Sequence, residues 1–354
     1  FRSGSRPSVH GSCGVFLASL KTTVRSKVMN IKPPFWHPSG SRGFILDWDG
    51  VIADTKLDFS GLRERYYGGR RAMLLEDAST LSPENQASFM KELCDLEMEG
   101  AGKAEPIPGA FELIDWLKAR NIPYTIVSRN CRESIELAAK TIGLKLPEKV
   151  WSRDEQKKVK PHPRSLAEAA RSIGLEPAEC LLVGDFLYDL QGARRAGMRA
   201  VLVQRDEPDW TAWSDVAYPK MTDFVADLDE PKPITPWEYR EIFAKRGEKW
   251  LHAAFELAFE LPETTSPTLD CWLVRVAALC VGTITVSSDY ILGPTEWKNN
   301  QSFEPYFMGL TISSIAKKYL ASRYPMITVT TEEEGIKAPK NSLDLTRFIE
   351  RKIF

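Results

Sequence analysis

The sequence predicts an α/β fold: a doubly wound, Rossmann-like parallel sheet with a small helical cap insert, followed by a mostly α-helical C-terminal domain. Three observations carry this expectation. Short apolar runs alternate with helix-period segments between Gly43 and Asp223. Three of those runs end on a polar residue: Asp47, Ser128 and Asp185. Beyond Asp223 the alternation fades and helical patterns take over. The 354 residues suit two domains at about 100–200 residues each.

Gly43-Phe-Ile-Leu-Asp-Trp reads as the first strand and Pro123-Tyr-Thr-Ile-Val-Ser as the second. Cys180-Leu-Leu-Val-Gly and Ala200-Val-Leu-Val-Gln follow, and Lys149-Val-Trp-Ser is a shorter candidate. Short apolar runs bounded by polar residues or glycine suit strands buried on both faces. Ala110 to Arg120 places Phe111, Ile114, Trp116 and Leu117 at helical spacing. Ser134 to Ile142, Arg164 to Ile173 and Asp189 to Ala196 look similar. Such alternation builds a parallel sheet with helices on both faces. Ligands in these sheets bind beyond the carboxyl ends of the strands, where Asp47, Ser128 and Asp185 are expected. The insert from Thr55 to Ile107 has no strong strand and directly follows the first strand, so it is a candidate cap over that edge.

Asp229-Glu-Pro-Lys-Pro reads as a linker. Thr235-Pro-Trp-Glu then reads as a capped helix start, with Thr as N-cap, Pro at the first helical position and Glu238 three residues after the cap. Helices are expected at Pro236–Leu261, Leu269–Val286 and Ser302–Ser322. The expected division is an N-terminal extension over 1–42, a core over 43–228 with its cap at about 55–107, and a mostly helical domain over 235–354. The linker favours a separately folded unit; packing of its helices on the sheet is the alternative. Phe1 to Arg42 carries seven basic residues and no acidic one. That resembles an organelle transit peptide; the other reading starts the protein at Met29.

Composition narrows the function classes. The apolar share of 43% excludes general disorder. A net charge of −1 argues against bulk binding to nucleic acid or to an anionic membrane. No run reaches the roughly 18 apolar residues of a membrane span. Cys13, Cys94, Cys131, Cys180, Cys271 and Cys280 are scattered, with no Cys-x-x-Cys, which suits a reducing cytoplasm rather than a disulfide scaffold. The four histidines show no metal-ligand spacing.

The chemistry lies at the strand ends. Asp47-Trp-Asp49-Gly puts two carboxylates just past the first strand. Phosphoryl transfer needs a nucleophile, positive charge for the phosphoryl oxygens and a proton donor for the leaving group. One carboxylate can form an acyl phosphate while a second moves the proton. Two carboxylates repel, so a hard cation is required, and oxygen donors suit Mg2+. Ser128 can donate its hydroxyl to a phosphoryl oxygen. Arg129 and Asn130 follow at the start of a helix, a further anion site. Lys160 can neutralise Asp47 and phosphate. Asp185 is a good Mg2+ ligand, and Asp189 either ligates through water or orients the lysine. In the insert, Arg63, Arg65, Arg70 and Arg71 surround Tyr66-Tyr-Gly-Gly. They read either as a solvated helix face or, with Arg70 foremost, as a contact for a substrate anion.

The four motifs occur in order: Asp47-x-Asp49-Gly-Val, Ser128, Lys160-Pro-x-Pro163 and Gly184-Asp185-x-x-x-Asp189. In this the chain resembles the haloacid dehalogenase superfamily of phosphotransferases, most closely its phosphoglycolate phosphatase-like branch, over about Gly43 to Asp223. The resemblance implies a doubly wound core and Mg2+ held among Asp47, Asp49, Asp185 and Asp189. It also implies Asp47 as nucleophile and Asp49 as acid and base. Relatives that cleave carbon–halogen bonds lack the second aspartate, so Asp49 disfavours dehalogenation. The expected function is hydrolysis of a small phosphorylated metabolite. A phosphomutase on the same scaffold is one alternative. A non-enzymatic regulatory protein, whose C-terminal helices bind a protein partner or a second copy, is the other.

Overall fold

The computed structural model describes residues 31–70, 72–261, 269–286, 291–299 and 307–330. The basic segment through residue 30, the start of the Ser302–Ser322 helix and the chain beyond residue 330 lie outside the described residues.

In chain order the strands of the first half are β1 (Gly43–Leu46), β2 (Ala53–Asp54), β3 (Glu105–Pro106), β4 (Tyr124–Val127), β5 (Val150–Trp151), β6 (Cys180–Gly184), β7 (Arg199–Val203) and β8 (Val216–Tyr218). The helices are α1 (Ser60–Tyr67), α2 (Leu74–Asp77), α3 (Pro83–Ala101), α4 (Ala110–Ala119), α5 (Arg132–Ile142), α6 (Pro163–Ser172), α7 (Leu187–Ala196), α8 (Pro208–Thr211) and α9 (Met221–Asp229). Six strands form one sheet in the order β5-β4-β1-β6-β7-β8, every pair parallel. The chain leaves β1 for β4 and β5 on one side, then crosses back to β6, β7 and β8 on the other. The order therefore reverses at β1, and β1, β4 and β6 lie side by side.

Successive strand residues point to opposite faces, and the core follows that period. Phe44, Leu46, Ile126 and Val183 pack one face with Leu113, Ile135 and Phe224 of α4, α5 and α9. Ile45, Val127, Leu182 and Leu202 pack the other with Leu166 and Leu190 of α6 and α7. Each such aliphatic side chain contributes about 1.5–3 kcal/mol on burial. Trp48, between the two aspartates, is fully buried in the first cluster, as its alternation in the strand predicts. The insert stands on the short antiparallel pair β2–β3 and has a core of its own, with Leu62, Tyr67, Phe89 and Leu93 buried together.

The C-terminal region departs from the helices expected there. It contains α10 (Arg240–Arg246), α11 (Glu248–Phe255), α12 (Leu269–Ala278), α13 (Pro294–Asn299) and α14 (Ile312–Arg323). Helix remains its main component. It also holds β9 (Ala258–Leu261), β10 (Thr283–Val286) and β11 (Thr328–Thr330), a parallel sheet in the order β11-β10-β9. The Pro236–Leu261 helix is interrupted by Gly247, whose φ of 78° and ψ of 177° are not helical, and its end becomes β9. The end of Leu269–Val286 becomes β10. The run Thr283-Ile-Thr-Val is β-branched throughout, which favours a strand. Gly282 makes the entry to it: a Cβ there would lie 1.9 Å from Phe255 O.

Thr235 does not cap a helix. The chain enters a 3-10 turn, Trp237–Tyr239, with Pro236 at the cap position. Glu238, expected to complete a capping box, is instead bound by Arg199 at 2.6 and 2.7 Å. The expected linker is also anchored, since Ile234 and Trp36 exchange backbone hydrogen bonds of 2.9 and 3.1 Å. Among the described residues no helix is long and apolar enough to cross a membrane.

Candidate active site

The adjacent ends of β1, β4 and β6 bring the predicted motifs to one edge. Asp47 follows β1, Ser128 follows β4 and Asp185 follows β6. Gly50 has a φ of 70°, and a Cβ on it would lie 2.2 Å from Asp185 Oδ2. Only glycine allows the Asp47–Gly50 turn to approach Asp185 this closely.

Lys160, 1% exposed, reaches in from the loop before α6. Its ammonium donates to Asp47 Oδ1 at 2.6 Å and to Val127 O at 2.7 Å, and pairs with Asp189 Oδ1 at 2.7 Å. All three of its donors are thereby used. Asp189 Oδ2 also accepts the Phe186 N–H at 3.1 Å, so Asp189 orients the lysine. Trp48 N donates to Asp47 Oδ1 at 2.7 Å. Asp49 is held separately: Asn130 Nδ2 donates to it at 2.7 Å and Thr55 Oγ1 donates to its other oxygen. Ser128 is buried, and its Oγ accepts the Asn130 N–H at 3.1 Å.

Asp47, Asp185 and Asp189 each place a carboxylate oxygen within 4.8 Å of the others. Asp49, expected as a fourth ligand, is not in that cluster, because Asn130 and Thr55 hold its oxygens elsewhere. Negative charge here exceeds positive. Burial, then neighbouring Asp189, holds the Asp47 carboxyl well above the ordinary range, with Lys160 acting against the shift. Burial pushes Asp49 up to about 6, against the hydrogen bonds from Thr55 and Asn130. Burial and then Asp189 push Asp185 up to about 7, opposed by Arg205 at 3.0 Å. Clustered oxygen donors with uncompensated charge are what a hard divalent cation such as Mg2+ requires, so the residues fit that ion.

Other expected substrate contacts have different partners. Arg129 lines the cavity, yet its guanidinium binds both Glu76 oxygens at 2.8 Å and also donates to Lys160 O. Glu76 belongs to α2 of the insert, so this pair joins insert to sheet. Asn130 is committed to Asp49. The free N–H groups expected at the start of α5 are also used: Cys131 N donates to Glu97 at 2.8 Å and Arg132 N to Asp154 at 2.7 Å. Arg70 is exposed outside the cavity, where its Nε donates to Tyr67 O at 3.2 Å. The left-handed Gly68 and Gly69 end α1 ahead of it, which corrects the choice of Arg70 as substrate contact.

The cavity measures about 460 Å³ and is bounded by both the strand ends and the insert. Among the described residues the insert arginine that lines it is Arg63, whose buried Nε has no hydrogen-bond partner; Arg71 lies outside the described residues. The sequence singled out its cluster, but only the burial of Leu62 and Tyr67 on α1 sets which member faces inward. Arg205, Glu76 and Glu97 line or brace the site with no signal in the sequence beyond their charge.

A profile of the haloacid dehalogenase-like hydrolase family matches residues 64–203. Protein CbbY from Rhodobacter capsulatus is 33% identical over 191 residues, 46% of this chain and 84% of that protein. Pyrophosphatase PpaX from Halalkalibacterium halodurans is 29% identical over 175 residues, 45% of this chain and 81% of that protein. Hexitol phosphatase A from Escherichia coli is 26% identical over 178 residues, 46% of this chain and 82% of that protein. Among solved structures, a hydrolase from Pseudomonas syringae is 21% identical, with a TM-score of 0.47, over 54% of this chain and 99% of that one.

Proposed function

The chain belongs to the haloacid dehalogenase-like hydrolases, and from that premise we propose that it is a Mg2+-dependent phosphomonoesterase acting on a small phosphorylated metabolite through an aspartyl-phosphate. The observation that carries this reading is the carboxylate excess at the ends of β1 and β6, with one buried lysine joining Asp47 to Asp189. Phosphatase and pyrophosphatase names among the relatives support the reaction class.

Asp47 Oδ1 is held by Lys160 and the Trp48 N–H, so attack on phosphorus falls to the other oxygen. Lys160 favours the ionised form of Asp47 against the effect of burial. Asp49, pushed up to about 6, keeps a larger protonated fraction near neutral pH than an ordinary carboxyl does. In that form it passes its proton to the leaving oxygen and then takes one from the water that opens the acyl phosphate. Asn130 and Thr55 fix its orientation. The Ser128 hydroxyl supplies a donor for a phosphoryl oxygen, and the Lys160 ammonium, its three donors taken by Asp47, Asp189 and Val127, supplies positive charge beside it. Mg2+ held by Asp47, Asp185 and Asp189 would neutralise charge on the phosphoryl group and the nucleophile. The cap cavity, with Arg63, sets which metabolite fits.

Acid-quenching the protein during turnover of a phosphate ester tests the intermediate. A phosphorylated peptide carrying Asp47 is expected on peptide mapping. Steady turnover with the label on another residue, or with none, overturns the covalent route.

A further inference from the structure

Cys94 lies on α3 of the insert, and Cys131 is the N-cap residue of α5 in the sheet domain. They are 37 positions apart in sequence, yet their Sγ atoms are 2.9 Å apart. A disulfide bond is about 2.05 Å long, so the sulfurs are less than an ångström from bonding distance. Cys94 is half-buried and Cys131 is buried. The Glu97 carboxylate also comes near both sulfurs, which raises the question of a metal site. Glu97 is already committed, however. Arg153 holds its two oxygens at 2.6 and 3.1 Å, and the Cys131 N–H donates to it at 2.8 Å. A metal would have to displace a buried ion pair, which is costly; a disulfide requires only that the two sulfurs close.

We propose that Cys94 and Cys131 are a disulfide-forming pair, oxidised by a low-molecular-weight disulfide such as oxidised glutathione, that clamps the insert onto the sheet domain. The half-buried Cys94 is the point of entry. Its thiolate attacks one sulfur of oxidised glutathione, breaks that S–S bond and releases one glutathione thiolate, which takes up a proton. Cys131 then gives up its proton and attacks the Cys94 sulfur, displacing the second glutathione thiolate, which is protonated in turn. Two protein thiols lose two electrons and two protons, and one oxidised glutathione becomes two reduced ones. Burial and the contact with Cys94 push the Cys131 thiol up to about 12, which makes it the resolving rather than the attacking thiol.

The position gives the clamp a consequence. Two ion pairs already join insert to sheet, Glu76–Arg129 and Glu97–Arg153. A covalent bond beside them holds α3 against the loop that carries Asn130, the partner of Asp49. The cavity is walled by both parts, so the clamp fixes one of its walls against the other. The slowing of turnover rests on the phosphatase reading; the cross-link itself does not.

The test uses the full chain in a reduced and an oxidised glutathione buffer. Intact mass and peptide mapping read the thiols, and hydrolysis of a generic phosphate ester reads turnover. The expected result is a Cys94–Cys131 cross-linked peptide in the oxidised buffer, a several-fold fall in kcat, and reversal of both by dithiothreitol. Cys94→Ser and Cys94→Ala should form no cross-link and keep parental activity in both buffers. A stable glutathione adduct on Cys94, a bond to another cysteine, or two unchanged thiols overturns the pair. A cross-link that leaves kcat unchanged overturns the clamp. Protein inactive on phosphate esters even when reduced counts against the phosphatase reading, while the mass result still decides the disulfide.

Discussion

Two of the buried charge clusters among the described residues differ in kind, one at the carboxyl edge of the sheet and one where the C-terminal region docks. At the edge, the ion pairs of Asp47, Asp185 and Asp189 among the described residues are with Lys160 and Arg205, and burial holds Asp47, Asp49 and Asp185 above their ordinary values. At the docking site, Arg194 and Arg199 are matched by Asp215 and Glu238. Asp215 pairs with Arg194 at 2.9 Å and Arg199 at 3.1 Å, and accepts the Ala200 N–H at 2.8 Å. Burial would raise Asp215, but the two guanidiniums outweigh it and hold the carboxyl below its usual range. Arg199 is held above its own despite burial, by Glu238 and Asp215. The difference separates two uses of buried charge. A balanced cluster is complete and ties segments together. An unbalanced one lacks positive charge, and that deficit marks a site for a cation and a ligand.

The largest effect that would break this contrast is in turnover. Asp47→Asn should remove several orders of magnitude of phosphatase activity while leaving the circular dichroism spectrum unchanged. Near-parental turnover in the folded variant would show that the unbalanced cluster is not the catalytic one. Next is the missing cation. Activity should vanish in chelator and return with Mg2+, and Asp185→Ala should raise the Mg2+ concentration required by at least about tenfold. Metal-independent hydrolysis would mean that the charge deficit has another purpose.

The balanced cluster predicts losses of stability instead. We propose that 43–228 and 235–354 are two domains that fold as a docked pair. A chain ending at Glu230 removes Glu238 and the Ile234–Trp36 pairing, and should aggregate or unfold at lower denaturant than the full chain. A fully stable, active truncation would show that docking contributes nothing to the core. Glu238→Gln should lower stability by about 3 kcal/mol, read by denaturant unfolding, with kcat per folded molecule unchanged; a collapse of kcat would join the two clusters functionally. The smallest effect lies in pH dependence. Because the folded value of Asp215 is depressed, its contribution is present above the unfolded value near 3.9 and is lost as pH falls through the folded value. The stability gap between the parent and Asp215→Asn should therefore narrow below about pH 4. A gap that widens there would reverse the assignment.

The strands of the catalytic sheet were legible because a strand buried on both faces must be apolar throughout, as Cys180-Leu-Leu-Val-Gly is. The polar residue that ends such a run is conspicuous in the sequence itself, as Asp47, Ser128 and Asp185 are. The parallel sheet of the C-terminal region was not legible in the same way. Its β9 and β10 follow directly on apolar helical patterns, and a short apolar run does not distinguish a buried helix from a strand. Thr235 shows a related failure. Its capping signal is sound locally, but Glu238 gains more from the buried Arg199 than from a backbone N–H.

Residue types at short spacing thus determine the parallel sheet, the edge on which it binds, and the carboxylates and lysine that collect there, because these follow from local periodicity and from where a strand must stop. The partners of those residues were decided by the tertiary structure alone. Asn130 turns to Asp49, Arg129 closes on Glu76, Arg63 rather than Arg70 faces the cavity, and Cys94 meets Cys131. The Glu76 and Cys94 contacts depend on how two separately built units, insert and sheet, come to rest against each other. Contacts between segments tens of residues apart leave no period in the chain, since a side chain's neighbours there are set by packing and by the cost of leaving a buried charge unpaired.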